Sequence, residues 1–234
     1  MSAINGYLQS RVQARYALLP DDRLWLHLSA LKELASFIEE ARSTRLLQWV
    51  FGLSSHSSTE EIETLLQRRF ADSVMETASW FRSKWRPAVL WLTTLGQLPA
   101  LEHARRSNNV GMLTGMGPEL AELAGLTYRE RDLRQVWISS WRSRWPALSR
   151  RDRQGVELLV EMLERHWQEF PRLSVDATWK SRRDLEVRIR LFFRTHMLQP
   201  AAGFAYLVLV ALSLERLRAE LLSRALFDHQ AVSS

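Results

Sequence analysis

Residues 58–85 read STEEIETLLQRRFADSVMETASWFRSKW and carry the clearest helical pattern of the chain. Ser58 and Glu61 have the spacing of a capping box, in which each side chain accepts a hydrogen bond from the other residue's backbone N–H. Apolar residues then recur every three or four positions, on one face of a helix. They are Ile62, Leu66, Phe70, Val74, Ala78, Phe81 and Trp85. The pattern predicts a long amphipathic helix that ends or kinks at Pro87.

Helical periodicity continues outside this stretch, and no segment alternates with the two-residue period of a strand for long. The sequence therefore predicts an all-α, multi-helix fold. In the first half of the chain, the other expected helices are one with a stripe of Ile4, Leu8, Val12 and Leu19 that ends at Pro20, one over 23–41 capped by Asp21 or Asp22, one over 45–51 that ends at Gly52, and one or two over 90–106. In the second half, two helices are expected over 119–124 and 129–144. The last three are a helix capped by Ser149 and Asp152 that reaches Phe170, a helix capped by Asp176 that reaches Met197, and a helix from Pro200 to about Phe227.

Residues 107–118, SNNVGMLTGMGP, interrupt this pattern with a cluster of glycine, asparagine and proline. Such a cluster is typical of a loop. We therefore expect an N-terminal helical lobe over 1–106, a loop over 107–118 and a C-terminal helical lobe over 119–234. The triplet Arg-Asp-Leu at 131–133 and again at 183–185 is a weak indication of duplicated helical units.

Composition narrows the class of protein. Hydrophobic residues make up 46% of the 234 positions, which supports a sizeable core. The chain has no cysteine, so disulfides and thiolate chemistry are excluded, as expected of a reducing compartment. The opening MSAINGYLQSRVQ lacks the apolar stretch of a signal peptide, which predicts a cytoplasmic protein. The longest apolar run, 201–214, is shorter than the ~20 residues that span a bilayer, and it predicts a buried core helix.

The charge pattern leaves several classes of partner open. The net charge is +6, the pI is about 10.3, and arginine dominates the basic residues. A basic balance suits nucleic acid, an anionic membrane surface or an acidic protein. The arginines are interleaved with 26 acidic residues, and this pattern favours solvated helix faces over a dedicated polyanion site.

Tryptophan is unusually frequent, with ten residues in the chain. Trp137, Trp141 and Trp145 recur at four-residue spacing, which places the rings on one helix face, and Arg134, Arg142 and Arg144 lie nearby. One interpretation is an arginine-flanked aromatic surface that stacks bases or docks a protein. The other is a core face in which large rings fill the space between packed helices.

No catalytic motif is present. The serines at 54, 55, 57 and 58 surround His56, but the chain has no G-x-S-x-G nucleophile elbow, so a polar loop is the better interpretation. It also has no phosphate-binding glycine loop and no H-E-x-x-H zinc motif. We therefore expect a non-enzyme without cofactor, metal or small-molecule substrate.

The two ends of the chain carry its most specific sequence motifs. Residues 7–15, YLQSRVQAR, followed by Leu18-Leu19, resemble the opening of the central-stalk subunit of V-type ATPases, called C in bacterial and archaeal enzymes and d in eukaryotic ones. Residues 182–186, RRDLE, and Ala205-Tyr206-Leu207 are also similar to that family. The closing helix adds Glu215, Leu217, Arg218, Leu221, Leu222, Arg224 and Phe227. The motifs stand in the family's order, whereas the middle of the chain matches poorly.

This resemblance implies a non-catalytic subunit in proton or other ion transport. Family members sit on the cytoplasmic face of the membrane rotor ring, and their hollow receives the tip of the central axle so that torque passes between them. They carry three similar helical lobes arranged as a funnel. This chain is shorter, so we expect two, or three reduced, lobes forming a funnel-like or open bundle that associates peripherally with the membrane through the ring.

The partners implied are the axle subunit and the rotor ring, and the resemblance argues against nucleic acid. The predicted partner-binding residues are Tyr7, Arg11, Arg15, Trp137, Trp141, Arg218 and Arg224. Arg11, Arg15 and Arg224 have a second interpretation, in which they pair with helix acids and fasten the lobes together. The alternative function is a helical nucleic-acid-binding protein, which the basic pI and the Arg/Trp helix favour.

Overall fold

A computed structural model describes residues 3–107, 123, 132–169 and 174–232. These residues form helices and no strand, which confirms the all-α prediction. The helices are α1 (Ala3–Tyr16), α2 (Asp22–Ser29), α3 (Leu34–Arg42), α4 (Leu47–Val50), α5 (Thr59–Trp80), α6 (Arg86–Leu90), α7 (Leu98–Arg106), α8 (Leu133–Ser143), α9 (Arg150–Glu169), α10 (Val175–Thr195) and α11 (Pro200–Val232), with 3₁₀ turns at Ser83–Trp85 and Trp91–Gln97.

The capping box before α5 is confirmed. The N–H of Glu61 donates to Ser58 Oγ at 3.2 Å, and the N–H of Ser58 donates to Glu61 Oε2 at 2.8 Å. The helix ends at Trp80, earlier than predicted, because Phe81 takes an extended backbone conformation (φ −77°, ψ 156°). Its ring packs 5.3 Å from that of Phe204, a contact too distant in sequence to be visible in the local pattern. Pro87 stands at the start of α6, where a missing N–H costs nothing.

The single helix predicted over 23–41 is two helices. Asp21 caps α2 as expected, since its Oδ1 accepts from the N–H of Leu24 at 2.9 Å. The chain then leaves the helical path between Ser29 and Leu34, although no glycine or proline is present there. The carbonyl of Leu31, inside this break, accepts a hydrogen bond from Arg224 Nε of α11 at 2.8 Å. A tertiary contact thus satisfies a backbone group that the broken helix leaves open.

Helix α11 is the centre of the fold and packs against α1, α3, α5, α9 and α10. Its segment Pro200–Leu226 is long and apolar enough to cross a membrane, with a mean hydropathy of 1.4, and 72% of that window is buried inside the protein. Burial in the core therefore accounts for its apolar composition, as the sequence predicted for 201–214. A Cβ added at Gly203 would lie 2.6 Å from Phe81 Cε2, so glycine here permits the close approach of the chain that follows α5.

Described residues on both sides of the predicted loop share one core. Trp91 Nε1, after α6, donates to the carbonyl of Trp137 in α8 at 3.3 Å. Trp141 Nε1, also in α8, donates to the carbonyl of Ala88 at 2.9 Å. Residues 108–118 of the predicted loop lie outside the described ranges. Of the predicted helix 119–124, only Leu123 is described, and it is helical and buried. The division into two lobes therefore remains a prediction.

Several helix ends differ from expectation. Ser149 and Asp152 begin α9 as predicted, with the N–H of Asp152 donating to Ser149 Oγ at 3.1 Å, whereas Phe170 lies outside the described residues. Ser174, rather than Asp176, caps α10, and that helix ends at Thr195 instead of Met197. Helix α11 continues past Phe227 to Val232. The triplets at 131–133 and 183–185 are not equivalent, because Asp132 is the N-cap of α8 and Asp184 lies inside α10.

Candidate functional site

The two segments that carry the family resemblance pack against each other. Leu8 and Val12 of α1 are buried, and α1 lies along α11. At the turn before α11, the N–H of Leu198 donates to Gln9 Oε1 at 2.9 Å, and Gln13 Nε2 contacts Met197 Sδ at 3.1 Å. This packing turns the opposite side of α1 toward solvent. The burial of Ile4, predicted on the same stripe, lies outside the described side chains.

Tyr7 and Arg11 form the exposed face of α1. Tyr7 is 52% exposed, and Arg11 Nε donates to its hydroxyl at 3.2 Å. The guanidinium carbon lies 5.6 Å from the centroid of the Tyr7 ring. This hydrogen bond raises the pKa of Arg11, so the side chain is a permanent cation. Within the described part of the chain Arg11 forms no ion pair, which leaves its planar group able to bind a carboxylate while lying against an aromatic ring.

Arg15, one turn further along α1, has a different role. It forms an ion pair with Glu76 of α5, and both side chains are partly exposed. Behind this pair, burial raises the pKa of Tyr206 to about 12, with a further contribution from the charge of Glu76. In this fold Arg15 therefore joins α1 to α5, as in the interpretation that the arginines pair with helix acids.

Arg218 joins α11 to α5 in the same way. Its Nε lies 2.7 Å from each carboxylate oxygen of Glu63, and its terminal nitrogen also contacts Oε1. The hydrogen bond to Glu63 raises the pKa of Arg218. Because the arginine side chain is about half exposed, solvent screening limits the net stabilisation from the pair. The ion pair with Glu63 nevertheless occupies the guanidinium group of Arg218.

Arg224 is buried, with 8% of its surface exposed. Besides the carbonyl of Leu31, it contacts the carbonyl and the carboxylate of Glu220, at 2.6 and 2.7 Å. These partners use its donors inside the protein. Arg224 is therefore a structural residue at the junction of α11 with α2 and α3.

Trp137 and Trp141 belong to the core, with 1% and 2% of their surfaces exposed. Trp137 Nε1 donates to Thr94 Oγ1 at 2.7 Å, and the two rings lie 5.7 Å apart. This confirms the core-face interpretation, since neither ring reaches the surface of this fold, and partner binding by the two rings stays a prediction.

The flanking arginines are also engaged inside the protein. Arg134 donates to the carbonyl of Trp167 at 3.0 Å, and Arg142 binds Glu157 at 2.9 Å. Arg144 lies over the ring of Trp91 at 3.7 Å. With Trp137 and Trp141 buried, the half-buried Trp145 is the only ring of the three that reaches the surface in the described structure.

The serine-rich loop before α5 forms a turn. Ser57 Oγ accepts from the N–H of Ser54 at 3.0 Å, and Ser54 Oγ accepts from the N–H of His56 at 3.3 Å. Together with the cap at Ser58, these bonds use the hydroxyls to satisfy backbone groups. Among the residues that the structure describes, no cluster of three or more His, Asp or Glu side chains could hold a metal ion.

The outward side of α10 carries apolar residues that the sequence patterns did not predict as a site. Val187 and Leu191 are 61% and 62% exposed there, among basic residues. Their i,i+4 spacing was a usable signal, because it places two apolar side chains on one face of a helix whose buried stripe, Leu185, Ile189 and Phe192, is already complete.

Comparisons of the chain with protein-family models, with curated proteins and with solved structures each find no match. Function is therefore inferred from the geometry of the described residues and from the resemblance of the two ends.

Proposed function

We propose that the protein is a non-catalytic rotor-coupling or adaptor subunit of a V-type ATPase, bound in the cytoplasm to the membrane rotor ring and to the central axle. The observation that carries the proposal is the joining of its family-like ends. Helix α1, which carries the opening motif, packs on α11, which carries the closing one, although the two helices are separated by most of the chain.

The contacts of the predicted residues divide them into two groups. Arg15, Arg218 and Arg224 hold helices together through Glu76, Glu63 and the α2–α3 break. Tyr7 and Arg11 contact only each other among the polar groups described, and both are exposed. A coupling subunit requires a stiff helical body and a docking face, and these two groups correspond to those two requirements.

Acidic side chains on the axle or on the ring loops are the expected counterparts of Arg11. A guanidinium can form paired hydrogen bonds to a carboxylate and still lie on apolar surface, which a lysine does less well. The adjacent Tyr7 ring supplies such a surface and is a residue type enriched at interaction hot spots. The contact on this face is therefore proposed to be polar and aromatic in character.

The alternative, a helical nucleic-acid-binding protein, retains the net charge of +6 as its support. This alternative also requires the Arg/Trp helix to be exposed. Trp137 and Trp141 are buried and hydrogen-bonded, so they are not available to stack bases. For this reason the adaptor function is preferred.

The test is a binding assay between the full chain and the purified axle subunit and rotor ring of the V-type ATPase from the same organism. Wild-type protein is expected to bind at least one of them. The double variant Tyr7→Ala/Arg11→Glu is expected to weaken that binding at least ~10-fold, about 1.4 kcal/mol. Its circular dichroism spectrum and melting temperature should stay close to wild type, because the two side chains contact each other on the surface.

Arg153→Glu is the matched control, since Arg153 is an exposed arginine on α9 and the change in charge is the same per site. It should leave binding unchanged. If the wild-type chain binds neither subunit, the adaptor proposal is wrong. If it also retains RNA or DNA through a high-salt wash, the nucleic-acid alternative replaces it.

A further inference from the structure

The outward face of α10 combines apolar and basic side chains. Val187 and Leu191 lie at its centre and, among the described side chains of the helix, are the most exposed apolar residues, at 61% and 62%. Positions three and four residues away share their face. The exposed charged residues at successive three- or four-residue steps along this face are Lys180, Arg183, Asp184 and Arg194, and the half-buried Arg188 lies at its edge. Three exposed cations therefore stand around the apolar centre, against one exposed acid.

These charges are not used to fasten the fold. In the part of the chain that the structure describes, Lys180, Arg183 and Arg194 form no ion pair, and Arg188 donates to the backbone carbonyl of Asp184 at 3.3 Å. By contrast, Arg190 on the inner edge of the same helix pairs with Glu186 at 2.7 Å. The unpaired cations and the apolar pair thus point the same way, toward solvent.

Further apolar surface adjoins both ends of this face. Trp179, at the start of α10, is 41% exposed, and the guanidinium of Arg182 lies 5.3 Å from its ring centroid. Met197 and Leu198, just past the end of the helix, are 40% and 48% exposed. We define Trp179, Lys180, Arg183, Val187, Leu191 and Arg194 as the α10 face.

We propose that the α10 face binds the surface of an anionic lipid bilayer. Lysine and arginine near such a surface are attracted to its anionic headgroups. Their long apolar stems lie along the interface while the charges reach the headgroups. Leucine and valine between them can enter the boundary between headgroups and acyl chains, and tryptophan is enriched at the same depth.

Shape and charge favour this occupant over the others. A partner helix normally lies in an apolar groove between two elements, whereas the α10 face is the exposed side of one helix. A second copy of this chain would bring two faces of net positive charge together, and like charges across an interface are repelled. A fluid lipid surface needs neither a groove nor a matched register of charges.

The experiment is co-sedimentation of the full chain with vesicles. One set contains phosphatidylcholine alone, and the other contains equal parts of phosphatidylcholine and phosphatidylglycerol. Wild-type protein is expected to sediment with the anionic vesicles only, and less so as salt increases. Arg183→Glu/Arg194→Glu should lower the partition coefficient at least ~10-fold, and Val187→Ser/Leu191→Ser at least ~3-fold.

Arg151→Glu/Arg153→Glu is the control, because it makes the same change in net charge at two exposed positions of α9. It should retain most of the binding to anionic vesicles. An equal loss in this control would show that attraction is spread over the whole basic surface, and the α10 face would not be the site. Absence of wild-type binding to anionic vesicles would overturn the proposal outright.

A second measurement does not depend on lost binding. The chain has no cysteine, so Leu191→Cys can carry a polarity-sensitive fluorophore at one position. Its emission should shift to the blue with anionic vesicles and stay constant with neutral ones. A shift caused by protein concentration alone, or by an acidic amphipathic peptide but not by vesicles, would make the face a protein interface and reject the lipid proposal. The assay contains no ATPase subunit, so its result is independent of the proposed coupling function.

Discussion

The guanidinium of Arg224 lies over the ring of Phe37, with its central carbon 4.5 Å from the ring centroid. Phe37 belongs to α3 and is fully buried, so the cation is held against an apolar surface inside the fold. Its hydrogen bonds to the carbonyl of Leu31 and to Glu220 compensate for the loss of water. One residue therefore joins the last helix to the break between α2 and α3.

Replacing Arg224 should be costly. Arg224→Met keeps an apolar stem but leaves the carbonyl of Leu31 and the carboxylate of Glu220 without this donor, so we expect a loss of about 2–4 kcal/mol in the free energy of unfolding. Arg11→Met, at an exposed arginine, should change it by less than about 0.5 kcal/mol. Urea denaturation followed by circular dichroism measures both. Equal effects of the two variants would contradict the structural role of Arg224.

Gly203 should not tolerate a methyl group. A Cβ at this position would overlap the Phe81 ring, which is itself packed against Trp85 and Phe204. Overpacking of this kind typically costs about 1–3 kcal/mol. Gly203→Ala should therefore lower the melting temperature, and Phe81→Leu should recover part of the loss in the double variant. Gly6→Ala is the control, because nothing lies within 4 Å of its Cβ position and alanine favours the helix.

Local signals in the sequence predicted several of the side-chain caps, although not Asp132 before α8 or Ser174 before α10. Ser58 with Glu61, Asp21, and Ser149 with Asp152 each begin a helix as expected, because a cap depends on residues three positions apart or fewer. Pro200 likewise begins α11. These positions required no knowledge of the tertiary structure.

Features that depend on distant contacts were not predictable. The break between α2 and α3 is supported by Arg224, and the early end of α5 by the packing of Phe81 against Gly203. The spacing of Trp137 and Trp141 put them on one helix face but gave no information about whether that face pointed inward. Nor could the sequence show which predicted site residues have partners inside the fold. In the described structure, only Tyr7 and Arg11 among them stay exposed and form no ion pair with an acidic side chain.

The backbone at Leu198 offers a test of local strain. Its φ is +72°, in the left-handed region that costs a residue with a Cβ roughly 1–2 kcal/mol. Leu198→Gly should therefore raise the free energy of unfolding by up to about 1 kcal/mol, even though a half-exposed leucine is removed. Gly52, at φ +100°, already has the suitable residue, so Gly52→Ala should lower stability by about 1 kcal/mol or more. Changes of the same sign in the two variants would refute this explanation.

His166 of α9 predicts how stability depends on pH. The ring is buried, with Nδ1 3.2 Å from Ser181 Oγ. Burial lowers the pKa of His166, and the charges of Arg182, Arg188 and Arg134 lower it further. An unfolded histidine titrates near ~6.5, so the unfolded chain takes up the proton first. The stability that depends on a neutral His166 is therefore fully present above pH ~6.5. It is lost as the pH falls from ~6.5 through the lower pKa of the folded state.

Denaturant titrations at a series of pH values from neutral to mildly acidic measure this effect. His166→Gln cannot take up a proton, so the fall in stability below pH ~6.5 should be smaller in the variant than in wild type. His56→Gln, at an exposed position of the loop before α5, is the control and should follow the wild-type curve. If wild type and His166→Gln lose stability in parallel as the pH falls, the buried imidazole is not the group responsible.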